Sequence, residues 1–237
     1  AVRAYLELAD RLLQAGDKAN ALAMYQRFQR VAITVPEKCV ALTGITKSTP
    51  QDSVPLLLEA LQSPESEIRG LALQLLTDNP APSVTTSLIQ AMNGLEPTLQ
   101  ATLVRLLAKR PGAQAREAIL NATLSTRTDI RTAGFQALLY RSDIYNTARL
   151  QIFHRGLPAA QTDEERRVLI VGIRSIAHSS SLPYLESVIG NPAISEETWS
   201  AIIVITDKIA QNGRIDEAEP YYRRVLKQCE KVELVRH

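Results

Sequence analysis

The sequence predicts an all-α fold, a right-handed α–α superhelix of about seven helix pairs. Three observations carry that prediction. A repeat of about 31 residues runs through most of the chain. Arg69, Gln100, Arg131, Arg167 and Trp199 form one column at spacings of 31, 31, 36 and 32, and Cys39 extends it upstream by 30. Repeat periods of roughly 20–50 residues mark stacked helical arrays. Within each period apolar residues recur at helical spacing, and no alternating stretch is long enough for a strand. The two ends carry a second duplication: Asp10, Gln14, Gly16, Ala21, Tyr25 and Arg27 match Asp207, Gln211, Gly213, Ala218, Tyr222 and Arg224 at one offset, 197.

The column fixes the inward residues. Two and three places after each anchor come Ala41/Leu42, Leu71/Ala72, Thr102/Leu103, Ala133/Gly134, Leu169/Ile170 and Ala201/Ile202; six places after come Ile45, Leu75, Leu106, Ala137, Ile173 and Ile205.

In chain order, the first end unit is a helix, a tight turn at Gly16 and a second helix. Glycine accepts a left-handed conformation there at least cost. Ser53 is placed to cap the next pair, with Pro55 in the first turn where a missing N–H does no harm. Val54, Leu57, Leu58 and Leu61 form its stripe, and Ser63-Pro64 stops it. Its partner starts near Glu65 and ends at Asn79-Pro80, because proline disfavours helix in the preceding residue. Four similar pairs follow: 83–92 with 98–109, 113–124 with 129–140, 143–153 with 164–177, and 181–189 with 196–210. The third crosses a longer connection containing Gly156 and Pro158. Gly213 turns the last helix pair as Gly16 turns the first.

These patterns resemble known families. The central array resembles HEAT repeats, on Glu65–Ile68–Arg69–Ala72, Ile130–Arg131–Gly134 and Asp163–Arg167, with Val54-Pro55-Leu56-Leu57 and Leu182-Pro183-Tyr184-Leu185 as first-helix phrases. The ends resemble tetratricopeptide (TPR) pairs, on Leu12-Leu13-Gln14-Ala15-Gly16-Asp17 with Ala21 and Tyr25, and on Ile209-Ala210, Gly213-Arg214 and Glu217-Ala218 with Tyr222. The resemblance implies a TPR-like pair over 1–35, a HEAT-like array over 36–205 and a TPR-like cap over 206–237, all in one continuous solenoid. It also implies links between neighbouring repeats through Asp163/Arg167 and Glu65/Arg69, and a place within a larger, exported (periplasmic or secreted) bacterial protein. Cys39, Gln100 and Trp199 depart from the family's Arg position.

Bulk properties narrow the function. Net charge is +2, apolar residues make up 45% and aromatics 5%. A balance so even does not by itself point to nucleic acid or an anionic membrane. No run of about 18 apolar residues exists, so no membrane span is expected. Cys39 and Cys229 lie near opposite ends of the array, too far apart for a disulfide. A chain that starts at Ala1 without a signal pattern is expected to be an excised piece or a mature form.

The sequence offers little for catalysis. His154, His178 and His237 are the only histidines and none lies within helical reach of another. His154 is read as a solvent-side residue, and His178 as a favourable charge at a helix C-terminus. No metal-ligand spacing, nucleophile elbow or phosphate loop is present. Asp163-Glu164-Glu165 and Glu196-Glu197 start helices, where the macrodipole favours negative charge. Cofactors and metals are not expected, and neither cysteine is read as a nucleophile.

The leading expectation is a monomeric, non-catalytic solenoid that binds a protein or peptide. Its candidate contacts lie on the inner face of the second helices, four or five places after each anchor: Gln74, Arg105 and Gln136 as a polar row, with Phe135 as an apolar anchor. A nucleic-acid-binding HEAT-like module is the alternative. It rests on Arg105, Lys109, Arg110 and Arg116, then Arg141, Arg149 and Arg155, then Arg166, Arg167 and Arg174. A HEAT-like enzyme, such as a chromophore lyase or a DNA glycosylase, comes third because no acid–base constellation is visible.

Overall fold

The computed structural model describes the backbone of residues 2–79 and 81–235, with side chains as far as residue 228. The Pro80 breaker, the Cys229 side chain and His237 lie outside the described residues. These contain fourteen α-helices and no strand.

Helices α1 (Val2–Gln14), α2 (Lys18–Gln29), α3 (Val35–Ser48), α4 (Val54–Ala60), α5 (Ser66–Asp78), α6 (Pro82–Met92) and α7 (Pro97–Leu107) are followed by α8 (Ala113–Ala122). Then come α9 (Thr128–Leu138), α10 (Asn146–Ala159), α11 (Asp163–Ile176), α12 (Leu182–Val188), α13 (Ser195–Gln211) and α14 (Ile215–Val235). Packing divides the chain into two compact units, residues 1–118 and 119–237.

In the first unit α2 packs on both α1 and α3, and α4 and α5 form the next pair, with α5 also against α3. In the second, α9, α11 and α13 follow one another side by side, α10 covers α11, and α14 closes against α13. The column residues supply the buried faces. Three places after the anchor, Leu42, Ala72, Leu103, Gly134, Ile170 and Ile202 are all buried. Burying a leucine or isoleucine contributes roughly 1.5–3 kcal/mol, so these positions dominate the choice of helix face.

The starts and stops follow local chemistry. Thr34 and Glu37 form a reciprocal capping box before α3, and Thr162 accepts the Glu165 N–H before α11. Ser53 precedes α4 without capping it; its hydroxyl donates instead to the Pro50 carbonyl at 3.1 Å.

At the ends the duplication is structural. Gly16 and Gly213 have φ of +85° and +81°. In both copies the glycine N–H bonds three residues back, and the next N–H bonds five back: Gly16 to Leu13 and Asp17 to Leu12, Gly213 to Ala210 and Arg214 to Ile209. This is a Schellman closure.

One boundary differs clearly from expectation. The 143–153 helix is instead Asn146–Ala159, and it runs through Gly156 and Pro158. Pro158 lies in the last turn, where its missing N–H removes a single ladder bond near the end of the helix. Gly156 packs so tightly that an added Cβ would meet Leu169 at 2.8 Å and Phe135 at 2.9 Å. The glycine serves helix packing and does not break the helix.

Candidate functional site

The anchor column builds a set of links between helices. Arg131 on α9 forks onto Glu165 in the first turn of α11, with Nη2 to Oε2 at 3.0 Å. It also donates to the Ser125 carbonyl at 2.9 Å. Glu165 is 0% exposed and takes the Gln161 N–H as well. Arg167 on α11 donates in turn to Glu197 in the first turn of α13 at 3.0 Å. The expected links were different. Asp163 binds Arg166 and Asn191, each at 2.8 Å. Glu65 pairs with Lys38 at 3.3 Å, and Arg69 donates to the Ser63 and Pro64 carbonyls.

The acid that receives the link stands two places before the next anchor. The sequence carried this signal unread: Glu67, Asp129, Glu165 and Glu197 all occupy it, and only Thr98 departs among the later repeats. At the first repeat the position is felt by Cys39, whose thiol pKa is raised by burial and by the charge of Glu67. That favours the unreactive thiol.

A second group of cations caps helix ends. Arg110, 2% exposed, donates to the Leu76 and Asn79 carbonyls at 2.8 and 2.6 Å and to Thr85 Oγ1 at 2.8 Å. It thereby closes α5. Arg149 donates to the Leu138 and Leu139 carbonyls at the end of α9. Lys208 reaches the Ile176 carbonyl at the end of α11, at 3.1 Å. The last carbonyls of a helix lack intrahelical partners and carry its negative pole, so a cation satisfies both demands. Arg141 is also buried and grips Asp143 through two bonds of 2.7 and 2.5 Å. Arg110, Arg141, Arg149, Arg166 and Arg167 therefore hold the fold together. Of the basic row read from the sequence, Arg105, Lys109, Arg116, Arg155 and Arg174 remain exposed.

The candidate contact row is likewise uneven. Gln74 and Arg105 are exposed in the first unit, and Gln136 is half-buried in the second. Phe135 is 3% exposed, pressed by Gly156 of α10. Its ring is core, so it is not the exposed anchor expected, and it contributes only to the lining of a pocket described below. Two other members of the row five places after the anchor, Gly44 and Gly172, are covered by the Tyr25 and Phe153 rings, which occupy the space a Cβ would take.

His154 and Ser181 are brought together from 27 residues apart, His154 Nε2 lying 2.8 Å from Ser181 Oγ. The imidazole stacks on Tyr184 with centroids 4.1 Å apart and planes at 13°. Ser181 is fully buried, so a substrate has no path to this hydroxyl. Burial and the nearby His178 hold the His154 pKa below its ordinary value. The pair fixes α12 to α10. His178 itself caps the following turn by accepting the Ser180 N–H, instead of acting at the end of α11. The sequence could not foresee this cluster, because the contact crosses a turn and a helix.

Three surface features remain. The 139–145 loop holds Tyr140 and Tyr145 at 74% and 85% exposure. The loop is pinned by the Arg141–Asp143 fork and by buried Ile144. Beside α9 and α10 lies a pocket of about 200 Å³, whose lining includes the exposed Leu124 and Arg155. The first unit carries a wider, open cleft of about 520 Å³ beside the Lys38–Glu65 pair. Among the described residues, no group of histidine, cysteine and carboxylate side chains could hold a metal, and no helix is long and apolar enough to cross a membrane.

Such a fold defines an all-α protein of packed helix pairs. No family model matches the chain, and no curated protein does. Among solved structures, a crystal structure described as an engineered protein matches at 13% identity and a TM-score of 0.45, covering 85% of this chain and 96% of that one.

Proposed function

We propose that this chain is a non-catalytic protein-binding scaffold, a module of a larger bacterial protein. Its HEAT-like pairs form a right-handed superhelix with TPR-like pairs at both ends. The observation that carries the reading is the 139–145 loop, which holds two tyrosines in solvent beside a buried guanidinium that forks onto Asp143 of the same loop. Tyrosine gives large contact area at low conformational cost, and it is enriched among the residues that dominate interfaces. Loops positioned by a rigid scaffold are common sites of recognition. Scattered exposed tyrosines need no explanation; a pinned loop flanked by two of them is a platform.

The use of cations in helix caps and links supports protein over nucleic acid as partner. A phosphate-tracking face needs its arginines in solvent, and here Arg110 and Arg141 are buried while Arg149, Arg166 and Arg167 are half-buried in caps and links.

The test is affinity capture from the native host's lysate with the full chain, with and without nuclease. The control is Tyr140→Ala/Tyr145→Ala, whose exposed positions leave the fold intact. Capture of a protein that survives nuclease and is lost with the double variant is the expected result. Recovery that vanishes with nuclease would put nucleic acid in its place.

A further inference from the structure

We infer that the pocket beside α9 and α10 binds the C-terminal aliphatic residue of a peptide. This rests on the scaffold reading above and names what the scaffold holds. The floor is apolar, formed by Phe135, Gly156 and Ile152, and Leu124 stands at the rim, 70% exposed. Two guanidinium groups line it. Arg131 is committed to Glu165 and to the Ser125 carbonyl. Arg155 is exposed, and among the described residues no carboxylate or carbonyl engages it. The site therefore offers one apolar hole and one available cation.

Size narrows the occupant. The pocket volume is about 200 Å³. It falls below the roughly 300–1,000 Å³ of cofactor and drug-sized pockets. One branched aliphatic side chain suits it; a long acyl chain or a nucleobase with its sugar does not. Charge narrows it further, because a planar guanidinium pairs best with a carboxylate, through two parallel hydrogen bonds. A chain terminus places a carboxylate two bonds from an aliphatic side chain. Seating the side chain in this pocket would bring that carboxylate toward Arg155.

The test is a methyl NMR titration of the full chain, reading Leu124 and Ile152. The probe is N-acetyl-leucine, compared with N-acetyl-leucinamide and dodecanoate. Saturable shifts of both methyl groups are expected with the acid. Binding should weaken about tenfold with the amide, and again with Arg155→Gln against the acid. That variant should melt with the parent, since Arg155 is exposed and outside the links and caps. Equal response to acid and amide, or dodecanoate binding more tightly than N-acetyl-leucine, overturns the proposal. So does an absence of shifts at about 20 mM, above the millimolar range open to so small a ligand. A chain that captures a partner through Tyr140 and Tyr145 yet shows no such shifts keeps the scaffold and loses the pocket.

Discussion

Asp10 accepts a hydrogen bond from the Tyr25 hydroxyl, and Asp207 accepts the same bond from Tyr222, there at 2.6 Å. In both copies the phenol pKa is raised: Tyr25 by burial first and then by Asp10, Tyr222 by its bond to Asp207 first. Four of the six shared residues thus encode one device: a glycine that reverses the chain, an alanine that lets the helices close, and a phenol that ties the second helix to an aspartate of the first. At Gly16 and Gly213 an added Cβ would have nothing within 4 Å, so replacement meets conformational strain and no clash. Gly16→Val and Gly213→Val should each cost ~1 kcal/mol or more, read as a lowered thermal midpoint. A negligible change in both would refute the shared turn.

The links between helices differ in value because they differ in burial. Glu165 is fully buried with Arg131 nearly so, whereas Arg167 and Glu197 have side chains 41% and 37% exposed. Removing one partner of a buried pair strands the other charge and costs roughly 3–5 kcal/mol. An exposed pair contributes about 0–1 kcal/mol, screened by salt. Glu165→Ala should therefore lower stability by about 3 kcal/mol in chemical denaturation and Glu197→Ala by less than ~1 kcal/mol. Equal losses would show that the Glu165 link owes nothing to its burial. The contrast is instructive about the sequence, since both glutamates occupy the same repeat position. Periodicity shows where a link can form, but the depth of the surrounding helices sets its strength.

At the scale of the whole molecule, pH reports on the packing of α12. His154 has a folded pKa below its ordinary value near 6.5. The unfolded chain consequently binds a proton that the folded chain resists. The stability linked to this group is present above about pH 6.5 and is lost as pH falls through the window below it. His154→Gln should flatten that part of the stability profile between about pH 7 and 5, as followed by denaturant midpoints. A profile unchanged by the substitution would remove His154 as the source. The proposed superhelix has its own measurement. A globular chain of this length has a radius of gyration of about 18 Å, and small-angle scattering of an extended array should exceed it clearly. A value of about 18 Å would refute the extended form.

The sequence by itself determined the helices, most of their ends and the buried column, because helical spacing, prolines and glycines act through near neighbours. Leu42, Leu103, Ile170 and Ile202 are buried where the repeat placed them. The repeated turn at Gly16 and Gly213 was equally legible, since a left-handed glycine is a local demand. The candidate contacts were less so. Gln74 and Arg105 are exposed, whereas Phe135 is core, because Gly156 lets α10 close over its ring. Arg110 and Arg149 looked like surface charge, and only the folded chain brings carbonyls from 34 and 11 residues away to meet them. A side chain's neighbours along a helix follow from the sequence order. Its neighbours across helices depend on how closely the backbones approach, and tertiary packing alone decides that.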